Sequence, residues 1–339
     1  MVERIYGKPI DIAQFKKPVL ADIGGHLEKI RSIVDYLAAH EDSIEQPQCY
    51  VCKGARRELL AEIHGFAYVT CSDCGHVFTT RRYTDEAIRR FYESNKYWAE
   101  VTYANKATCY YRRDNVALPK VQFAERYCVR QTGRWLDIGS GIGDMVSVAM
   151  ERGWQATGLE LSETSVAFAK EAFGVSLVRE TVEEYSAHNP DLAGQFDVVS
   201  MIGVLEHVVD PLGLLLQAGK LLRPAGLVMI QVPNARSLAT MVQEVFPQNV
   251  FRHMSPIEHI MAFTESSLNR ALEYTEFEPL AYWFHGLDFY ELLTNLVLAN
   301  PRVQGSRLYG AMMDNLNELQ RVMDEREQSD RIIVCARKR

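Results

Sequence analysis

The stretch Trp135-Leu136-Asp137-Ile138-Gly139-Ser140-Gly141-Ile142-Gly143-Asp144 constrains the fold more than any other part of this chain. A run of apolar residues ends in an acid, and a tight glycine turn then opens a helix. Strand, turn and helix in that order belong to α/β sheets that hold ligands at the carboxyl ends of their strands. The glycines are spaced G-x-G-x-G. A dinucleotide fingerprint uses G-x-G-x-x-G instead, so that a pyrophosphate can approach the helix N-terminus. Here Asp137 and Asp144 flank the turn, and carboxylates at that place repel a phosphate. The turn suits a ligand that is neutral or cationic at this end.

The rest of the pattern follows in order. A short helix from Met145 to Arg152 leads into Gln155–Leu161, a second strand carrying Glu160 about 20 residues beyond the turn, where an acid holds a ribose hydroxyl pair. Val175–Val178 reads as a third strand and Phe196–Ile202 as a fourth, followed by Gly203-Val204-Leu205-Glu206-His207. Leu222-Arg223-Pro224-Ala225-Gly226 turns into a fifth strand, Leu227–Val232. Pro279–His285 reads as a sixth strand and Arg331–Arg337 as the last. Strands alternating with helices in short units predict a parallel sheet.

These segments resemble the successive motifs of class I S-adenosylmethionine-dependent methyltransferases, apart from Ala225, where a glycine is common. The resemblance implies S-adenosylmethionine as cofactor. Gly139, Ser140, Gly141 and Gly143 would approach its methionine portion, with Asp137 organising the turn and the ammonium. Glu160 would take the ribose hydroxyls, Leu161 would flank the adenine, and Ile202 and Gly203 would line the cofactor beyond the fourth strand. Adenine contacts are expected from the segment Glu180–Glu183. The resemblance also implies that the last strand inserts antiparallel.

At 339 residues, with 47% apolar and 24% charged residues, the chain can bury a sizeable core. A net charge of −7 without a block of lysines or arginines argues against a dedicated nucleic-acid surface. The chain shows neither a signal-peptide pattern nor an apolar run long enough to span a bilayer, which predicts a cytoplasmic enzyme with reduced thiols.

Four of the seven cysteines form one arrangement, Cys49-x-x-Cys52 and Cys71-x-x-Cys74, and the spacer between the two pairs has the length expected of a zinc site. Each C-x-x-C knuckle aims two thiolates at one point, and two knuckles complete the tetrahedron of a structural zinc site. The competing reading is unliganded thiols or disulfides, which a cytosolic setting disfavours. His64 and His76 are near enough to substitute for a ligand, but four cysteines suffice. A closed four-thiolate site has no open position for water, so its expected role is structural. Glu58–Ile63 and Phe66–Thr70 read as a hairpin between the pairs.

The expected fold is therefore α/β: a Rossmann-like class I methyltransferase sheet, mostly parallel with its last strand antiparallel, a small N-terminal zinc-binding domain and a C-terminal helical insertion. Residues 1–45 read as a helical segment, with Leu27, Ile30, Ile33, Val34 and Leu37 on one face. Residues 46–80 form the zinc ribbon. Residues 81–130 form a helical linker rich in aromatics, including Phe91, Tyr92, Tyr97, Trp98, Tyr103, Tyr110 and Tyr111, able to wall a sugar-sized substrate. Residues 131–339 form the methyltransferase domain. Its insertion, 287–329, reads as two helices, the second carrying Leu308, Met312, Leu316, Leu319 and Met323. The insertion covers core; a lid or a contact in a homo-oligomer is the alternative.

Zinc ribbon plus class I core resembles a group of bacterial methyltransferases from glycan and secondary-metabolite pathways. A narrower likeness is to deoxysugar C-methyltransferases, which carry a glutamate–histidine pair and then an aromatic–phenylalanine pair. Glu258, His259 and Phe263 agree with that pattern, whereas Ala262 stands in place of the aromatic and Ser255-Pro256 supply no upstream tyrosine. Methyl transfer mainly requires donor and acceptor to be aligned, but a hydroxyl acceptor must also lose a proton. His259 is the first candidate base, with Glu258 to orient it, and His207, at the edge that follows the fourth strand, is the second. Both could instead be structural histidines at the cleft rim. The expected acceptor is a small molecule, a sugar, sugar nucleotide or related metabolite, with O-methylation favoured. C-methylation of a keto-deoxysugar, methylation of an RNA base and a non-catalytic zinc-containing scaffold are the alternatives.

Overall fold

The structure is a computed structural model that describes all residues except Met1, Pro9, 89–105, Phe251 and Glu258. In chain order its strands begin with β1 (Glu3–Tyr6), β2 (Ser43–Glu45), β3 (Arg57–Ile63), β4 (Phe66–Cys71), β5 (Val77–Thr79) and β6 (Arg81–Tyr83). There follow β7 (Arg134–Ile138), β8 (Gln155–Leu159), β9 (Phe196–Ile202), β10 (Leu222–Pro233), β11 (Met261–Ala262), β12 (Phe277–His285) and β13 (Arg331–Lys338). Seven of them make the central sheet, in the order β1-β12-β13-β10-β9-β7-β8.

The central strands are near-continuous apolar runs because helices cover both faces of the sheet. Val198, Val199 and Met201 of β9 and Val228, Met229 and Ile230 of β10 are fully buried. β9 and β10 pair in parallel, as do β7 and β8, and β13 runs antiparallel to both its neighbours. This is the Rossmann-like sheet with an inserted last strand. From β7 the chain moves outward to β8 and then returns to β9 on the other side of β7. The strand order therefore reverses at β7, which puts the ligand crevice at its carboxyl end.

Several elements differ from the sequence expectations, among them β2 and β6, which lie in segments read as helical and pair antiparallel with each other. The face of Leu27, Ile30, Val34 and Leu37 does form the helix Ile23–His40, but the N-terminal segment also supplies β1, paired in parallel with β12. Val175–Val178 is not a full strand. Val178 forms a single bridge to Leu159, because only its own N–H and that of Glu160 bond across the edge. The second insertion helix is broken into Arg307–Asp314 and Leu316–Glu325 by Asn315, whose side chain donates to the Ala311 carbonyl. The break turns Leu308 out to 55% exposure while Leu316 stays buried.

The expected hairpin is β3–β4, and β5 extends it. The fourth strand of this small sheet is β11, which arrives from beyond β10, far along the chain, and pairs antiparallel with β5. The aromatic residues Phe91, Tyr92, Tyr97, Trp98 and Tyr103 lie outside the described residues. Tyr110 and Tyr111 act as tethers: the Tyr110 hydroxyl donates to the Ala172 carbonyl, and the Asp11 N–H donates to the Tyr111 hydroxyl. Among the described residues no helix is long and apolar enough to cross a membrane.

Candidate functional site

The glycine turn after β7 adopts a backbone that only glycine holds without strain. Gly139 has φ +67°, and a Cβ there would stand 2.7 Å from the Val204 Cγ2. Gly143 has φ +73° and opens the helix Asp144–Glu151. The segment that follows β9 thus lies directly against the turn that follows β7.

Asp137 is buried at the end of β7. Ser200 on β9 donates to its Oδ1 at 2.5 Å, and the Trp135 indole N–H donates to Ser200 at 2.8 Å. Burial pushes the Asp137 carboxyl up to about 7, while the Ser200 bond pulls it down. Lys120, on the helix Leu118–Tyr127, is buried too, and burial lowers its ammonium to about 7 although Asp144 and Asp137 favour its charge. Sequence reasoning missed Lys120, since one lysine on an amphipathic helix carries no signal of its own. A partly desolvated carboxylate beside left-handed glycines fits a ligand with an ammonium group, including the methionine end of S-adenosylmethionine.

Glu160 leaves β8 half-buried, accepting from the Gly141 N–H and the Ser162 N–H at 2.8 Å each. Burial raises its carboxyl and these backbone bonds lower it. Leu161 beside it is 59% exposed, an open apolar surface for a planar ring. The Ser140 N–H and hydroxyl both donate to the Leu159 carbonyl, and the Gly203 N–H to the Gln231 carbonyl. Ile202 is the last residue of β9 and pairs with Gln231 of β10. Asp137, Gly139, Ser140, Gly141, Gly143, Glu160, Leu161, Ile202 and Gly203 therefore sit at the carboxyl ends of β7, β8 and β9, whereas Glu180–Glu183 lies at the start of the helix Val182–His188.

The candidate acceptor end begins two residues beyond Val204. Glu206 is 1% exposed, and neither carboxylate oxygen accepts a hydrogen bond from another described residue. Burial pushes its carboxyl up to about 7, with Arg331 favouring the ionised form. His259 lies opposite, its Nε2 3.9 Å from Glu206 Oε1 and its ring centroid 4.9 Å from that of His207. The His259 Nδ1 bonds to the His253 carbonyl. A carbonyl can only accept, so Nδ1 carries the proton and Nε2 presents its lone pair. Burial holds the His259 imidazole well below its usual range, in the neutral form. His207 and His259 are thus brought together. Glu258 lies outside the described residues, and the carboxylate facing His259 is Glu206. An acid–histidine pair directly after the fourth strand was the available signal for Glu206.

His253 and His285 are buried, and both are held neutral by burial. His253 accepts or donates through Nε2 at the Thr240 hydroxyl, 2.8 Å away, and so fixes the loop whose carbonyl holds His259.

The four thiols of Cys49, Cys52, Cys71 and Cys74 converge. Cys49 and Cys74 sulfurs are 3.6 Å apart, those of Cys52 and Cys71 3.4 Å, and all four lie within 4.8 Å of one another. A tetrahedral zinc with bonds of about 2.3 Å spaces its sulfurs by roughly 3.8 Å, so the cluster fits the ion with slight expansion. His76 is fully buried between Phe78 and Phe263 and is not part of the cluster, and the His64 ring bonds to the Val250 carbonyl.

The sequence profile of a family described as methyltransferase domain matches residues 109–282. Ubiquinone biosynthesis O-methyltransferase from Marinobacter nauticus is 36% identical over 106 residues, covering 30% of this chain and 44% of that protein. The protein of the same name from Escherichia coli O9:H4 is 31% identical over 122 residues, covering 34% of this chain and 50% of that protein. The matched region thus spans half or less of these curated relatives. A solved S-adenosylmethionine-dependent methyltransferase from Archaeoglobus fulgidus has a TM-score of 0.46 at 19% identity, covering 67% of this chain and 94% of that one. The 1,6-didemethyltoxoflavin-N1-methyltransferase from Burkholderia thailandensis also reaches 0.46, at 16% identity, covering 79% of this chain and 97% of that one.

Proposed function

Because this chain belongs to the methyltransferase-domain family, we propose that it transfers a methyl group from S-adenosylmethionine to a hydroxyl of a small molecule. The observation that carries the reading is the contact between two turns: Val204 packs on Gly139, so the segment that carries Glu206 and His207 lies against the ligand turn that Asp137 supports. The bound cofactor supplies a sulfonium methyl open to displacement. Asp137 and the glycine turn bind the methionine end, Glu160 takes the ribose hydroxyls, and Leu161 covers the adenine. The acceptor's proton is handled at the cluster of Glu206, His207 and His259, where the lone pair on His259 Nε2 is held in place from behind by the His253 carbonyl.

The acceptor we favour is a sugar, sugar nucleotide or related metabolite, on the strength of the motif resemblance, and O-methylation is supported by the names of the curated relatives. Cys49, Cys52, Cys71 and Cys74 bind a structural zinc ion. Calorimetric titration with S-adenosylmethionine and with S-adenosylhomocysteine tests the core of the reading. Saturable binding that Asp137→Ala abolishes is the expected result. A folded, zinc-loaded protein that binds neither would overturn it.

A further inference from the structure

Cations gather at the ligand edge of the sheet, although the chain as a whole carries a net charge of −7. β1, β12, β10, β9 and β7 all run in one direction, and β13 runs against them. Lys8, just beyond β1, His285, the last residue of β12, and Arg331, the first of β13, therefore stand at the same edge as the glycine turn after β7. The segment with Lys8 and Lys16 is tied across to the helix Lys106–Arg112. The Asp11 N–H donates to the Tyr111 hydroxyl, and the Phe15 and Tyr111 ring centroids are 6.3 Å apart. One ring then has three cations around it: the Lys16 Nζ at 5.0 Å, the Arg112 Cζ at 5.4 Å and the Lys8 Nζ at 5.7 Å from the Phe15 centroid. Lys120 lies within electrostatic reach of Lys8 and Arg112 on one side and of Asp137 and Asp144 on the other.

This group lacks its counter-charge. Lys8, Lys16, Arg112 and Lys120 form no ion pair and no side-chain hydrogen bond among the described residues. The carboxylates within reach of Lys16, those of Glu291 and Asp330, are both bonded to Arg252. Burial, and then repulsion by neighbouring cations, holds the Lys8 ammonium well below its usual range and lowers that of Lys16 to about 7. Lys120 is only 5% exposed. A phenyl ring attracts cations through its quadrupole but bears no charge, so Phe15 draws these groups together without neutralising them. Like charges kept together and away from water destabilise the fold, which marks a site built for an anion. A single carboxylate balances one cation and leaves three. A phosphate monoester brings about −1.5 to −2 at neutral pH, and a diphosphate brings more.

We propose that Lys8, Lys16 and Arg112 bind a phosphate or diphosphate group carried by the methyl acceptor. Lysines hold such a group as point charges, and arginine holds it through a fork of N–H donors. The Arg112 Nε, buried and without an acceptor among the described residues, is one such donor. Arg331 connects this site to the candidate acceptor end, since it lies within electrostatic reach of Lys120 and His285 and also of Glu206 and His259. An acceptor anchored at the cations thus extends toward Glu206, His207 and His259. That the anchored compound accepts a methyl group rests on the methyltransferase reading above; anion binding itself does not.

Zinc-loaded full-length protein, saturated with S-adenosylhomocysteine, is titrated calorimetrically with inorganic pyrophosphate. One pyrophosphate per chain is expected, weakened about tenfold or more by each of Lys8→Met, Lys16→Met and Arg112→Gln, with circular dichroism unchanged. Without ligand, Lys16→Met should unfold at the same temperature as the wild type or a higher one, because repulsion is relieved. A folded wild-type protein that binds no pyrophosphate, or binding that none of the variants weakens, would overturn the site. A lower unfolding temperature with pyrophosphate affinity intact would make these cations structural instead. Mutual exclusion of pyrophosphate and S-adenosylhomocysteine would assign the cations to the cofactor's carboxylate and refute the proposal. UDP-glucose, a diphosphate substituted at both ends, should compete with pyrophosphate; failure to compete at tenfold excess would show that only the free ion fits, and docking of a phosphorylated acceptor would fall. Absence of S-adenosylmethionine and S-adenosylhomocysteine binding, with pyrophosphate still bound, would defeat the methyltransferase reading and leave the anion site standing.

Discussion

The Tyr68 hydroxyl donates a 2.7 Å hydrogen bond to the carbonyl of His259. Tyr68 belongs to β4 of the cysteine-anchored sheet, and His259 to the loop at the candidate acceptor site. The next residues reinforce the link. The Thr79 N–H donates to the Ile260 carbonyl, and β11 adds Met261 and Ala262 to the edge of β5. The small sheet therefore acts as a buttress for the backbone of His259, rather than as an appended module.

Tyr68→Phe keeps the fully buried ring and removes only that bond. It leaves the His259 carbonyl without this donor, a loss of about 1–3 kcal/mol, visible as a lower midpoint in thermal unfolding. Since Tyr68 touches nothing at the glycine turn, kcat should fall while the affinity for S-adenosylmethionine holds. An equal loss in both would show that the bond supports the whole fold rather than the acceptor end.

Removal of the zinc proposed for the four cysteines should act along the same route. Cys71 closes β4 and Cys74 precedes β5, so losing the ion loosens the β4–β5 pair and, through β5, the pairing of β11. Structural zinc is worth about 10 kcal/mol or more in small domains, so these strands cannot keep their pairing without it. Cys52→Ser, at the half-buried corner of the cluster, should reduce zinc to well below one equivalent by elemental analysis. It should also expose the 57–79 hairpin to limited proteolysis. Full protection in a metal-free variant would show that the sheet stands without the ion.

How much of this was legible depends on the range of the interactions. The turn after β7, the strands β7 to β10 and the cysteine knuckles were readable because each is written in adjacent residues. β1 was not: Glu3–Tyr6 is largely exposed, and it is a strand only because β12, near the other end of the chain, offers an edge. β11, just Met261 and Ala262, was hidden for the same reason, since its partner β5 lies far back in the sequence. Glu206 stood in plain view after the fourth strand. Its importance appears only when His259, from a loop beyond β10, is folded against it, and no periodicity encodes that meeting.

Asp137 gives the site a pH dependence. Its carboxyl is raised to about 7 in the folded chain, from 3.8 when unperturbed. The folded protein thus holds a proton that the unfolded chain releases, so this residue's contribution to stability declines as pH rises from about 4 to 7 and is level above. A ligand ammonium favours the ionised carboxylate, so binding below pH 7 must expel that proton. Affinity for S-adenosylmethionine should be about tenfold weaker at pH 6 than its maximum. It should fall again above about pH 8 as the ligand's own amine deprotonates. Ser200→Ala removes a bond that favours the ionised form and should move the acid limb to higher pH. Asp137→Asn should flatten that limb. Calorimetry across pH checks all four, and an acid limb unchanged in Asp137→Asn would assign the proton elsewhere.

Gly139 joins the two halves of the candidate site, and its replacement separates two costs. Gly139→Ala places a residue with a side chain at φ +67°, which costs about 1–2 kcal/mol whatever its neighbours do. It also drives a methyl to 2.7 Å from the Val204 Cγ2 and so displaces the segment leading to Glu206 and His207. Removing that methyl in Gly139→Ala/Val204→Ala relieves the contact but not the backbone. The double variant should then be destabilised by less than the sum of the two single variants, with a coupling of about 0.5–3 kcal/mol in a double-mutant cycle. Binding of S-adenosylmethionine should recover only in part, because the left-handed turn is still strained. Strict additivity would mean that the turns after β7 and β9 move independently, and the proximity of cofactor and acceptor ends would lose its structural basis.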